Sequence, residues 1–98
     1  MKGGEIQSNL DKEEIIKKAF EFHSKGNISK AQELYQIFIS RGFSDVRVYS
    51  NYGVILRNFE KLKEAELYTR KAIELNPNFA SAYSNLGGIF QDLSLIHI

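Results

Sequence analysis

Ninety-eight residues, 43% hydrophobic and 26% charged, leave room for one modest core. Thirteen basic against 12 acidic side chains give a formal net charge of +1, and residues 1–45 carry seven of each sign. That balance excludes the basic footprint of a dedicated nucleic-acid binder, and the absence of cysteine excludes disulfides, a thiol nucleophile and thiolate metal sites.

From the N-terminus, Met1 to Leu10 has one lysine and no apolar run, so it reads as neither a secretory signal nor a membrane anchor. Residues 1–11 are expected to be disordered or frayed, and a cytoplasmic location is the default. Ile15, Ile16, Ala19, Phe20 and Phe22 recur at helical spacing and predict a helix over 12–25, which Gly26-Asn27 ends in a left-handed cap. Ile28, Ala31, Leu34, Tyr35, Phe38 and Ile39 predict a second helix over 28–41, closed by Arg41-Gly42. Ser44 or Asp45 caps a third over 46–58, whose apolar positions are Val46, Val48, Tyr49, Tyr52 and Leu56. A fourth over 61–75 carries Leu62, Ala65, Leu67, Tyr68, Ala72, Ile73 and Leu75, and Asn76-Pro77-Asn78 stops it. Asn78 is then the expected N-cap of a fifth helix over 79–92.

A shift of 34 residues lays Tyr49-Ser50-Asn51-Tyr52-Gly53 on Tyr83-Ser84-Asn85-Leu86-Gly87, and Ile55-Leu56 on Ile89-Phe90. Shifted backward, Leu56, Ala65 and Ile73 reach Phe22, Ala31 and Ile39. The unit from Val46 to Phe79 resembles a tetratricopeptide repeat (TPR) along its whole length, through Tyr49, Tyr52-Gly53, Leu56, Ala65, Ala72 and Pro77. It departs from that pattern at Thr69, where an aromatic is usual; Tyr68 stands beside it. Residues 12–45 resemble a degenerate copy, in which Phe22, Gly26, Ala31 and Tyr35 fit while Lys18-Ala19, Phe38 and Phe43 replace the usual residues. Residues 80–92 supply the first helix of a third unit. The resemblance implies an all-α fold of the TPR type, a right-handed superhelix of antiparallel helix pairs with about five helices here. It also implies that Gly53, Gly87, Ala65 and Ala72 permit close helix approach, and that Tyr49, Leu56, Tyr68 and Phe90 fill the gaps between helices.

After Asp92 the repeat pattern breaks. Leu93-Ser94-Leu95-Ile96-His97-Ile98 resembles a translated end of a transposase-based sequencing adapter; the other reading is a natural apolar C-terminus, as one strand-like or helical turn. On the first reading residues 93–98 are non-native, the chain is the opening fragment of a longer protein, and the fifth helix, lacking a partner, frays or self-associates.

Catalytic patterns are scarce. His23 and His97 are the only histidines and have no metal-ligand spacing; His23 reads as a structural, partly exposed residue. Glu13, Glu14, Glu64 and Glu66 read as solvated helix faces. No catalytic, cofactor or metal residue is assigned, and the chain is read as non-enzymatic. The TPR resemblance instead implies a concave groove lined by Arg47, Ser50, Asn51, Val54, Arg57 and Asn58, followed by Ser81, Ser84, Asn85 and Gly88. Asn51 and Asn85, one repeat apart, are similar to the asparagine ladder of the TPR region of protein O-GlcNAc transferases; equally, asparagine is common at this position in TPR units. Lys17 breaks the ladder in the first unit. The carboxylate clamp of chaperone-binding TPRs is disfavoured, because Ile16, Ser81 and Asn85 occupy its basic positions and only Asn51 matches.

The expected function is a protein-interaction scaffold that binds a peptide or partner segment, without nucleic acid, membrane or cofactor. The alternatives are the substrate-recruiting N-terminal region of a larger transferase, such as a TPR-fused glycosyltransferase, and an adaptor that self-associates through its last helix.

Overall fold

Capping chemistry sets the boundaries of the helices in a computed structural model of the chain, which describes residues 10–96. Asp11 and Glu14 form a reciprocal capping box: the Glu14 N–H donates to Asp11 Oδ1 at 2.9 Å and the Asp11 N–H to Glu14 Oε1 at 3.0 Å. They open α1 (Lys12–Ser24), which is followed by α2 (Ile28–Ser40), α3 (Val46–Asn58), α4 (Leu62–Leu75) and α5 (Ala80–Ile96). The Asn27 side chain accepts from the Lys30 N–H to start α2, and Asp45, rather than Ser44, accepts from the Arg47 N–H to start α3. Leu10 is tied down as well, its carbonyl accepting from Arg41 Nη1 at 2.6 Å. Of the stretch expected to fray, residues 1–9 lie outside the described residues, as do His97 and Ile98.

Helix α5 differs from expectation at both ends. The Asn76 side chain accepts from the Asn78 N–H at 3.0 Å and its carbonyl from the Phe79 N–H at 3.1 Å, so a turn holds Asn78 and the helix starts at Ala80. At the other end the helix runs through Ile96 instead of stopping at Asp92, because Leu93-Ser94-Leu95-Ile96 contains neither glycine nor proline to break it.

The chain divides into two compact units, residues 1–44 and 45–98. In the first, α1 packs on α2 around Ile15, Ile16, Ala19, Ala31, Leu34, Tyr35 and Phe38, all buried. Phe38 is fully buried with its ring 5.4 Å from that of Phe43. Phe20 and Phe22 of the predicted stripe are only half-buried.

In the second unit α4 packs on α3, and α5 packs on both. Gly53 brings α3 close to α4: a Cβ there would lie 2.5 Å from Thr69 Oγ1 and 3.4 Å from the Ala65 carbonyl oxygen. Thr69 itself is buried, and its hydroxyl has no hydrogen-bond partner. Small size at 69 is what the contact requires, and this explains why no aromatic stands there. Tyr68 supplies the aromatic surface, stacked on Tyr49 at 6.0 Å and tilted against Tyr52 at 5.0 Å. Two of the expected packing positions turn out otherwise. A Cβ at Gly87 would meet nothing within 4 Å, and Phe90 is 43% exposed, with the Arg70 guanidinium 5.4 Å above its ring.

Three helices end in the same double hydrogen bond. Asn27 N–H reaches the Phe22 carbonyl while Gly26 N–H reaches His23; Phe43 and Gly42 do the same to Phe38 and Ile39, and Lys61 and Glu60 to Leu56 and Arg57. Each requires a left-handed residue, and Gly26 and Gly42 adopt φ of 82°. The third is Glu60 at φ 62°, where a Cβ is strained. Glu60→Gly is therefore expected to raise the stability to urea unfolding by about 0.5–1 kcal/mol, strain relief outweighing the entropy of an added glycine. A lower unfolding midpoint would contradict this reading of the turn.

Candidate functional site

Two hydrogen-bonded pairs join α3 to α5. Asn85 Nδ2 donates to Ser50 Oγ at 3.2 Å, and Arg57 Nε donates to Asp92 Oδ2 at 2.7 Å. Both pairs span 35 positions and sit seven residues, or two helical turns, apart, so α3 and α5 run parallel in register. The side chains between and around these pairs make up one polar face of the second unit.

The residues singled out from the sequence occupy different depths on these two helices. Ser50 is 3% exposed, its hydroxyl turned to Asn85 rather than to solvent. Asn51, Val54, Arg57, Asn85 and Gly88 are half-buried, while Arg47, Asn58, Ser81 and Ser84 are exposed. Arg47 folds back on the α3 N-cap, with Nη2 2.8 Å from Asp45 Oδ2 and Nε 3.1 Å from Oδ1. The structure thus brings Ser50 to Asn85 and Arg57 to Asp92.

Asp92 and the part played by Gly88 are what sequence reasoning missed. A Cβ at position 88 would overlap the Arg57 guanidinium, so glycine leaves room for that group where it lies against α5 beside Asp92. Opposite charges separated by one repeat plus one residue were the available signal. Past this pair a cleft of about 580 Å³ opens, lined by Arg57, Asn58, Glu60, Leu62, Asp92 and Leu95.

Both ion pairs leave an electrostatic mark. The hydrogen bond from Arg57 holds the Asp92 carboxyl below the ordinary carboxylate range, and Asp92 in turn raises the Arg57 pKa. For Asp45, burial pushes the carboxyl upward, but hydrogen bonds and charge from Arg47 and the Val48 N–H more than offset it and leave the pKa lowered. Tyr68 is shifted upward by burial first and then by Tyr52, Glu64 and Tyr49 around it. Both pairs remain charged near neutrality.

His23 belongs to the first unit. Its Nδ1 shares a 2.9 Å hydrogen bond with the hydroxyl of fully buried Tyr35, and the two rings meet edge-on at 5.9 Å. Lys17 is exposed on α1 beside Glu14, Lys18 and Glu21. Among the described residues no three metal-ligating side chains converge, and no helix is long and apolar enough to cross a membrane. On α5, Tyr83 and Phe90 are exposed by 49% and 43% on one side of the helix, and Leu95, 65% exposed, lies on the side of the cleft.

Residues 46–79 match the family model of the tetratricopeptide repeat, and with five helices and no strand among the described residues the fold is all-α of that type. No curated protein matches the chain.

Burial lowers the His23 pKa below its ordinary 6.5. The unfolded chain therefore binds the proton more readily than the folded one. Stability is full above about pH 6.5 and is lost as pH falls from there through the lowered folded value. The urea midpoint is expected to drop between about pH 7.5 and pH 5, and His23→Gln should flatten that drop. An identical pH dependence in the variant would show that another group titrates.

Proposed function

Because residues 46–79 form a tetratricopeptide repeat, we propose that this chain is a protein-interaction scaffold which binds a peptide or partner segment along the α3–α5 face. The observation that carries the reading is the parallel, in-register setting of α3 and α5, held at Ser50–Asn85 and Arg57–Asp92. Two rigid helices at fixed spacing present amides and hydroxyls as an ordered row. An extended peptide exposes alternating N–H and carbonyl groups, and an asparagine side chain can serve both.

Recognition on this reading rests on position and hydrogen bonding, with no covalent chemistry. Asn85 already donates one N–H to Ser50, which fixes its amide plane and leaves its carbonyl oxygen and second N–H to a ligand. Preorganisation of this kind lowers the ordering cost of binding. Asn51 and Val54 contribute half-buried surface from α3, and Ser81 and Ser84 add hydroxyls at the N-terminal end of α5.

Replacing Asn51 and Asn85 together with alanine is expected to weaken peptide binding by about 1–3 kcal/mol while helicity by circular dichroism is retained. Calorimetric titration with a peptide selected against the parent chain is the measurement. Unaltered affinity would remove the two amides from the binding surface.

A further inference from the structure

The charge of the α3–α5 face is cancelled from within. Its two cations are Arg47 and Arg57, and each is engaged by a carboxylate of the same unit: Asp45 at 2.8 Å and Asp92 at 2.7 Å. Asp92 is the only charged residue in the 17 residues of α5. Gly88 leaves room beside it for the Arg57 guanidinium. What remains on the face is serine, asparagine and valine, and Glu60 stands exposed at the rim of the cleft beyond.

From this arrangement we propose that Asp92 is a specificity-determining residue: by occupying Arg57 it restricts the α3–α5 face to uncharged extended peptide segments. The proposal rests on the reading of that face as a peptide site. An acidic side chain approaching Arg57 meets a guanidinium whose charge is already matched by Asp92, bonded through Nε and aligned with Nη2, and is repelled by that carboxylate. A basic side chain approaching Asp92 meets a carboxylate already paired with Arg57, whose guanidinium repels it. An uncharged segment meets neither penalty and finds donors and acceptors throughout.

Selection of random linear peptides displayed on phage tests this with the full chain. The parent should enrich peptides with no excess of acidic or basic side chains. Asp92→Asn frees the Arg57 charge and should enrich acidic peptides that bind roughly tenfold more tightly to the variant than to the parent. The reciprocal variant Arg57→Gln should enrich basic ones. Glu74→Gln, an exposed site on α4 that changes net charge by the same amount as Asp92→Asn, should select as the parent does. Circular dichroism on each chain reports folding, and either reciprocal variant alone suffices if the other does not fold.

Acidic or basic peptides enriched by the parent would overturn the proposal, as would parent-like selection by a folded Asp92→Asn or Arg57→Gln chain. So would a Glu74→Gln selection that follows Asp92→Asn, since net charge would then explain the change. Enrichment of nothing by any chain would instead overturn the peptide-site reading itself, and this proposal with it.

Discussion

The second unit depends on how closely α3 can approach α4. At Gly53 the backbone of α3 comes against Thr69 and the Ala65 carbonyl, leaving no space for even a methyl group. That approach places Tyr68 between Tyr49 and Tyr52, and Ala65, Thr69 and Ala72 are buried along the same side of α4. Small residues pack there next to stacked aromatics. It also has a cost: the Thr69 hydroxyl is buried without a partner. Helix α5, seated through buried Ala82 and Ile89, is thereby set parallel to α3, and the polar face follows from that placement.

Much of the fold was legible because helical periodicity and capping residues are local signals. Gly26 and Gly42 marked two helix ends correctly, since only a left-handed residue closes that double hydrogen bond. Glu60 plays the same part at the end of α3, but its residue type hides it. The Asp11–Glu14 capping box was equally present in the sequence, where Glu14 reads as part of a solvated face. The repeat pattern places the end of α5 too early, because the break after Asp92 is a break in resemblance and not in helix-forming capacity.

The candidate face was less legible. Position in a repeat says which residues of a first helix share a side, and so points to Ser50, Asn51, Asn85 and Arg57. It does not say that Ser50 is buried and bonded to Asn85, or that Arg57 already has a counter-ion. Those facts depend on side-chain contacts between residues 35 positions apart, which single-sequence periodicity cannot resolve. They change the chemistry: Arg47 and Arg57, each paired with a carboxylate, are parts of a face without net charge. The repeat itself also misleads at Gly87, which matches Gly53 in sequence yet has open space around it.

That mismatch makes the two glycines a matched pair for measurement. In the middle of a helix, glycine to alanine should stabilise by roughly 1 kcal/mol on propensity alone. Urea unfolding of Gly53→Ala and Gly87→Ala therefore tests the packing of α3 on α4 by sign. The account predicts that Gly87→Ala gains stability while Gly53→Ala loses about 1–3 kcal/mol, as overpacked contacts do. A gain at both positions would mean that α3 and α4 are not in close contact, and would contradict the arrangement on which the face depends.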